Sequence, residues 1–293
     1  MPPLTDEPWL SIVIPLKNEA GNVDFVTEAI VEACRELAPY EVIYVDDGST
    51  DDTAARVRAL GARFPQVRLV QHAASGGQSA AVHSGVTLAK GSVIGTLDGD
   101  GQNPPSEIPK LAARLEGRAV PGGVGLIAGQ RVGRQDTASK RWASRAANAL
   151  RERLLKDGTR DTGCGLKMFP RDLFLTLPYF DHMHRYLPAL VARDGWRTLH
   201  VDVAHAPRHA GRSNYANLGR ALVGVSDLMW IMSERAKRSV MPIAFWYFSL
   251  AGGVVLLTYA IYRRDPVFML GQGTGLVIYL RNLWLIYADR RTA

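Results

Sequence analysis

Ser92-Val-Ile-Gly-Thr-Leu-Asp-Gly-Asp-Gly-Gln-Asn-Pro-Pro105 joins a short apolar run to a turn carrying two carboxylates one residue apart. The run Ser92–Leu97 has the length and Val/Ile content of a buried strand, and the glycines and prolines after it end that strand. Three similar runs precede it, Leu10–Pro15, Glu41–Asp46 and Val67–Gln71, separated by helical stretches at about Gly21–Leu37, Thr53–Phe64 and Gln78–Lys90. Strand, helix, strand at this spacing predicts a parallel sheet with helices on both faces. Such a sheet binds ligands beyond the carboxyl ends of its strands. Those ends carry Pro15, Lys17 and Glu19, then Asp46-Asp47-Gly48, then Asp98-Gly99-Asp100, so acids and small residues gather where a ligand would sit.

Asp98 and Asp100 offer oxygens to one hard divalent cation, with the phosphates of a donor completing its shell. Gly99 between them is expected to let the backbone approach the ligand. A lone Asp-x-Asp is weak evidence, because loops contain it by chance; at the end of a parallel strand it favours function. Asp46-Asp-Gly-Ser-Thr-Asp-Asp-Thr53 is the second constellation. Gly48 turns the chain, Ser49 or Thr50 is expected to cap the next helix, and Asp46 and Asp47 suit the N–H groups of a base or the hydroxyls of a ribose. Solvated cap acids account well for Asp51 and Asp52, but not for Asp46 and Asp47.

Beyond Pro105 the pattern loosens. It predicts a helix to about Gly117, a strand at Val124–Gly129, a helix near Ser139–Leu155, strands at Leu166–Phe169 and Thr198–Val203, and a polar loop at Arg208–Tyr215. Between Arg131 and Arg160 there are nine Lys or Arg and three Asp or Glu, within a chain of net charge +7. Such a patch suits an anionic partner; a solvated basic helix face takes about half the weight. His184-Arg-Tyr186 is a further element of such a site, with core packing by Tyr186 an equal reading. Cys34 and Cys164 lack a CxxC spacing and read as buried thiols in a reducing compartment. Met1–Trp9 has acids, prolines and no apolar core, unlike a signal peptide.

The tail differs. Asn217–Met232 reads as a long apolar-rich helix, and Met241–Tyr262 runs 22 positions without a charge. At 1.5 Å per residue that is about 33 Å, enough for a bilayer core of about 30 Å. Arg263-Arg-Asp-Pro266 interrupts the run, and Val267–Ala288 follows with one charge, Arg281, near enough to the end to snorkel. Two spanning or re-entrant helices in a hairpin are expected, with Gly271 and Gly275 as a close-contact step; a buried hairpin in a soluble protein is the lesser reading. The domain plan is thus residues 1–214 for an α/β catalytic domain, 215–238 for a juxtamembrane amphipathic helix and 239–293 for the hairpin. Basic residues flank both spans, so the positive-inside rule hardly discriminates.

Ile12-Val-Ile-Pro15 with Asn18-Glu19, Val45-Asp-Asp-Gly-Ser-Thr-Asp51, Asp98-Gly-Asp-Gly-Gln102 with Pro104-Pro105, and Gly129-Gln-Arg131 together resemble family 2 glycosyltransferases of the GT-A fold. Within that family the chain is similar to the branch of dolichyl-phosphate mannosyltransferase and its bacterial polyprenyl-phosphate relatives, over residues 10 to about 230. The resemblance implies that Pro15, Lys17, Glu19, Val45, Asp47, Asp98, Gly99, Arg131, Arg208 and Ser213 hold a nucleotide-sugar. It implies that Asp98, Asp100 and Gln102 hold Mg²⁺ or Mn²⁺, and that Asp161, in Asp161-Thr-Gly-Cys-Gly165, lies next to the reacting sugar. Asp100, Arg131 and Asp161 are the catalytic candidates; Arg131, Arg134, Lys140, Arg141 and Ser144 are the candidates for the acceptor phosphate. Lys17 stands where an aromatic residue is common in the family, and Asn214 where a lysine is common. The tail, through Pro242–Ser249, Arg264–Phe268 and Tyr279–Leu283, resembles the small membrane domain at the N-terminus of some lipid-A-disaccharide synthases.

A phosphate acceptor makes physical sense, since a phosphomonoester is largely dianionic at neutral pH and already nucleophilic. Attack on the anomeric carbon then needs alignment and charge neutralisation more than a strong base. The expectation is inverting, metal-dependent transfer from a GDP- or UDP-linked sugar to a polyprenyl phosphate, at the cytoplasmic face of the inner membrane. Membrane lipid is an expected partner and nucleic acid is not, because the carboxylate turns would repel phosphates unless a metal intervened. A processive polysaccharide synthase should carry QxxRW, which does not occur. Transfer to another lipid or envelope-glycan acceptor, and a catalytically silent membrane scaffold, are the alternatives; a homo-oligomer stays open.

Overall fold

The computed structural model describes residues 7–115, 123–132, 155, 158–159, 161–208 and 243–291. The chain divides into two compact units, Met1–Leu228 and Met229–Ala293. In the first, a seven-stranded sheet runs in the order β3-β2-β1-β4-β6-β5-β7. Its strands are β1 (Leu10–Leu16), β2 (Tyr40–Asp46), β3 (Val67–Gln71), β4 (Val93–Thr96), β5 (Val124–Arg131), β6 (Lys167–Pro170) and β7 (Arg197–Val203). β1 pairs in parallel with β2 and β4, β2 with β3, and β5 with β7. β6 alone is antiparallel, wedged between β4 and β5.

Alternation along the strands explains the layers. Ile12 and Ile14 pack on one face with Val23, Val26 and Ile30 of α1 (Val23–Ala33) and Leu111 of α4 (Ile108–Leu115). Val13 and Val45 face the other way, onto Ala81, Val82 and Val86 of α3 (Gln78–Leu88), with Leu173 of α5 (Arg171–Thr176) and Leu190 of α6 (Leu187–Arg193). Successive side chains of a strand point to opposite faces, so a strand apolar at every position is one covered on both sides. The expected α/β sheet, mostly parallel and flanked by helices, is the sheet observed.

This topology sets the site. The chain leaves β1 for β2 in one direction and returns to place β4 on the other side, so β1 and β4 flank a switch point, where open α/β sheets bind their ligands. Since β6 runs against its neighbours, its amino end joins the carboxyl ends of the other six strands. The segments after β1, β2, β4, β5 and β7 and the segment before β6 therefore meet along one edge.

In the second unit, α7 (Ile243–Arg263) and α8 (Pro266–Arg291) form an antiparallel hairpin. Asp265 makes its corner: Oδ1 accepts the N–H groups of Val267 at 3.1 Å and Phe268 at 3.0 Å, capping α8 ahead of Pro266. Among the described residues one stretch, Phe245–Arg263, is long and apolar enough to cross a membrane. In α8 the run is diluted by Gln272, Thr274, three glycines, Arg281 and Asn282. Phe248, Tyr262, Val267, Leu270 and Trp284 are all more than two-thirds exposed, so the hairpin turns apolar surface outward.

The expected Gly271/Gly275 step is not where the helices touch. A methyl at Gly271 would meet nothing within 4 Å, and at Gly275 only Tyr279 of its own helix. The close approach is at Gly253, where a methyl would lie 2.8 Å from Leu276 Cδ2. Helix rotation decides which glycines face the partner, and spacing within one helix does not report it. Tyr215–Arg238, expected as a juxtamembrane helix, and the basic helix near Ser139–Leu155, Leu155 apart, lie outside the described residues.

Candidate active site

The first two motifs are bound to each other. Asn18 Oδ1 accepts Thr50 N at 2.8 Å, Asn18 N donates to Ser49 Oγ at 2.9 Å, and Glu19 N donates to Thr53 Oγ1 at 2.9 Å. Asp51 spans both loops, accepting Ala20 N at 3.2 Å and Thr53 N at 3.1 Å. Ser49 and Thr50 thus lock the loop after β1 rather than capping α2 (Thr53–Arg63), whose preceding residue Asp52 makes no side-chain cap bond. Gly48 has φ of +69°, and a methyl there would lie 3.0 Å from Ser75 N, so turn and packing both require glycine.

Asp47 is saturated from the neighbouring loop. One oxygen meets Gly76 N at 2.8 Å and His72 Nδ1 at 2.8 Å; the other meets Ser75 Oγ at 2.6 Å and Gly77 N at 2.8 Å. Burial pushes its carboxyl up, but the bonds from Ser75, His72, Gly76 and Gly77 outweigh this and hold it below its ordinary value. Asp46 is buried, accepting Ser49 N at 3.0 Å and Gln71 Nε2 at 3.1 Å. Val45 is fully buried, its side chain in the core beneath the edge. Pro15 is half-buried and Lys17 exposed at the end of β1.

Asp98 is clasped from both sides, by Gln78 Nε2 on Oδ1 and Asn103 Nδ2 on Oδ2, each at 3.0 Å. Burial first, and then the negative charge of Asp100, push its carboxyl above the ordinary range. Asp100 folds back to accept Gln102 N at 3.0 Å through Oδ1. Its other oxygen meets Arg208 Nη2 at 2.7 Å, while Arg208 Nη1 reaches Glu19 Oε1 at 3.1 Å. One guanidinium therefore bridges the loops after β1 and β4. Gln102 O accepts Ala206 N at 3.0 Å, which holds the loop after β7 over this bridge. Burial raises Glu19 as well, against the pull of Asn22 and Arg208. The space at Gly99 is taken by packing: a methyl there would lie 2.2 Å from Leu16 Cδ2.

Arg131 and Asp161 form a two-point ion pair, Nε to Oδ2 at 2.7 Å and Nη2 to Oδ1 at 2.8 Å. Burial works against the guanidinium's charge, but the bonds and charge of Asp161 raise its pKa overall. Lys167 is buried at the start of β6, in register with Thr96 and Ala128, and donates to Cys164 O. Burial pulls its pKa down, against the charges of Cys164, Asp98 and Asp161. Thr96 Oγ1 donates to Gly165 O at 2.7 Å, so the 161–166 segment is pressed onto β4. His184 Nδ1 pairs with Ser79 Oγ at 2.8 Å, one residue from Gln78, and burial lowers its pKa well below the ordinary value.

The structure thus brings Glu19, Asp100 and Arg208 together, sets Asp98 between Gln78 and Asn103 in the same turn as Asp100, and pairs Arg131 with Asp161. Arg134, Lys140, Arg141, Ser144 and Ser213 lie outside the described residues. Sequence reasoning missed Gln78, Asn103 and Lys167. Asn103 directly follows the acidic turn, and Lys167 is the lone cation of an otherwise apolar strand; those were the available signals.

Two carboxylates one residue apart, with the charge of Asp100 raising the cost of ionising Asp98, suit a divalent cation. Among the described residues no group of three or more His, Cys, Asp or Glu is placed to enclose one. Asp98, Asp100 and the side-chain amide of Gln102 are oxygen donors of the kind a hard divalent ion takes.

A mostly parallel sheet with acids at its switch point, closed by a basic loop, defines a GT-A-type transferase domain. The pattern of Glycosyl transferase family 2 is matched over residues 11–177, and that of the Lipid A Biosynthesis N-terminal domain over residues 227–284. The chain belongs to glycosyl transferase family 2 and is a glycosyltransferase. An undecaprenyl-phosphate 4-deoxy-4-formamido-L-arabinose transferase of Pseudomonas fluorescens is 30% identical over 302 residues, 97% of this chain and 87% of the relative. A dodecaprenyl-phosphate galacturonate synthase of Rhizobium johnstonii is 31% identical over 271 residues, 91% of this chain and 79% of the relative. A glucosyl-3-phosphoglycerate synthase of Mycobacterium tuberculosis, solved with Mn²⁺, UDP and glucosyl-3-phosphoglycerate, has a TM-score of 0.57 at 20% identity, over 78% of this chain and 80% of that one. The last shares the fold.

Proposed function

We propose that this chain transfers a sugar from a GDP- or UDP-linked donor to a polyprenyl phosphate, with inversion, at the cytoplasmic face of the membrane. The observation that carries the reading is the joining of Glu19 and Asp100 through Arg208 at the switch point, in the turn that also holds Asp98, together with the Arg131–Asp161 pair. The two relatives named above act, by their names, on undecaprenyl and dodecaprenyl phosphates. The outward apolar surface of the hairpin supports a membrane-held acceptor.

Asp98 and Asp100, with Gln102, would hold Mg²⁺ or Mn²⁺, which when bound supplies charge stabilisation to a departing nucleoside diphosphate. Pro15, Lys17, Glu19 and Asp47, with the backbone at Val45, would frame the nucleotide, Asp47 by fixing the 72–77 loop. Arg208 would turn to the donor phosphates. Asp161 holds the Arg131 guanidinium at a fixed orientation, so that its remaining N–H edge faces an acceptor phosphate pre-aligned. The phosphate oxygen, already ionised, attacks the anomeric carbon as the bond to the nucleoside diphosphate breaks.

The test is incubation of membranes containing the chain with radiolabelled nucleotide-sugars, scoring label that becomes organic-extractable. One donor should label lipid, excess chelator should stop transfer and added Mn²⁺ should restore it. Asp100→Ala should abolish transfer with membrane attachment intact. Full turnover of purified protein in excess chelator would sink the reading.

A further inference from the structure

Arg208 stands 189 residues from Glu19 and 108 from Asp100, yet it makes charge-assisted bonds to both, at 3.1 Å and 2.7 Å. All three side chains are mostly shielded from water, at 22%, 14% and 11% exposure. At such burial an unpaired charge is costly, so a guanidinium lifted from these carboxylates must find another anion. The loop that carries it is fixed independently, by Ala206 N on Gln102 O and by Ala204 N on Glu107 Oε1 at 3.2 Å. Arg208 is thus held over Asp100 by its backbone as well as by its charge.

We infer that Arg208 is a resident counter-cation that makes divalent-ion binding at Asp100 conditional on a diphosphate. The inference rests on the proposed function. An ion arriving alone competes with the guanidinium for Asp100 and leaves it, and one end of the Glu19 bridge, without a full partner. An ion arriving with a nucleoside diphosphate brings the anion that Arg208 needs. Coupling is reciprocal, so ion and diphosphate each tighten the other's binding. The site thereby rejects free divalent cations and holds its acids neutralised between turnovers.

The experiment measures Mn²⁺ binding to the purified full chain in detergent, following free Mn²⁺ by electron paramagnetic resonance, for Mn²⁺ alone and with UDP or GDP. For the native chain, one of the two nucleotides should tighten Mn²⁺ binding at least about tenfold. In Arg208→Gln, Mn²⁺ alone should bind roughly tenfold tighter than in the native chain, and the nucleotide should add little. Arg208→Lys, which keeps the charge but loses the two-point fork, should fall between them. If the nucleotide tightens Mn²⁺ binding in the native chain while Arg208→Gln binds Mn²⁺ alone no better, the inference is overturned and the proposed function stands. If the native chain binds no Mn²⁺ with either nucleotide, both are overturned.

Discussion

Gly165→Ala offers the sharpest test of how the site is built. A methyl at this position would lie 2.4 Å from Cγ, Oδ1 and Oδ2 of Asp98, whereas ordinary contact begins near 3.4 Å. The carboxylate would have to retreat by about 1 Å, and misplacement on that scale costs on the order of 100-fold in rate. It cannot retreat freely, since Gln78 and Asn103 hold its two oxygens at 3.0 Å. Losing either bond costs about 1–3 kcal/mol, because it leaves a buried acceptor or donor unsatisfied. Nor can the 161–166 segment yield instead, tied as it is by Thr96 to Gly165 O and by Lys167 to Cys164 O. Sugar transfer to lipid is therefore expected to fall about 100-fold or more, with Mn²⁺ affinity in the presence of nucleotide lowered alongside it. Initial rates at saturating donor, with binding followed by paramagnetic resonance, measure both. A variant that keeps native rate and native Mn²⁺ affinity would refute the idea that Gly165 makes room for Asp98.

Three further outcomes are expected. Asp161→Ala strips a mostly buried guanidinium of its two-point partner and should cost about 3 kcal/mol in thermal unfolding, together with most of the activity. Asp47, whose carboxyl is held below its ordinary value of 3.8, stabilises the fold fully above that pH and progressively less as pH falls through its lower folded value. Asp47→Asn should accordingly lower the melting temperature at pH 7 and flatten its decline below about pH 4; an unchanged acid limb would contradict the assignment. In the hairpin, Gly253→Leu should destabilise by about 1–3 kcal/mol through its clash with Leu276, while Gly271→Leu should be tolerated, as detergent thermal melts of both would show.

Much of the site was legible as separate pieces. The runs at Leu10–Pro15, Glu41–Asp46 and Ser92–Leu97 became strands because double-sided burial writes itself into local composition. Asp98 and Asp100 could be placed at a strand end for the same reason. Their neighbours could not. Gln78 reaches Asp98 from a helix 20 residues away, and Lys167 fixes the Cys164–Gly165 segment packed against it; nothing in their local pattern names that carboxylate.

The sequence alone determined that a parallel α/β sheet would present acids at its edge and that an apolar tail would follow, because burial periodicity and turn chemistry act over a few residues. Only the tertiary structure decided that β6 enters against its neighbours, carrying Asp161, Gly165 and Lys167 to the same edge. It also decided that Arg208 closes on Glu19 and Asp100, and that Gly253 rather than Gly271 sits at the contact between the two hairpin helices. These are questions of strand order, loop closure and helix rotation, settled by packing between distant segments, and local sequence carries no record of them.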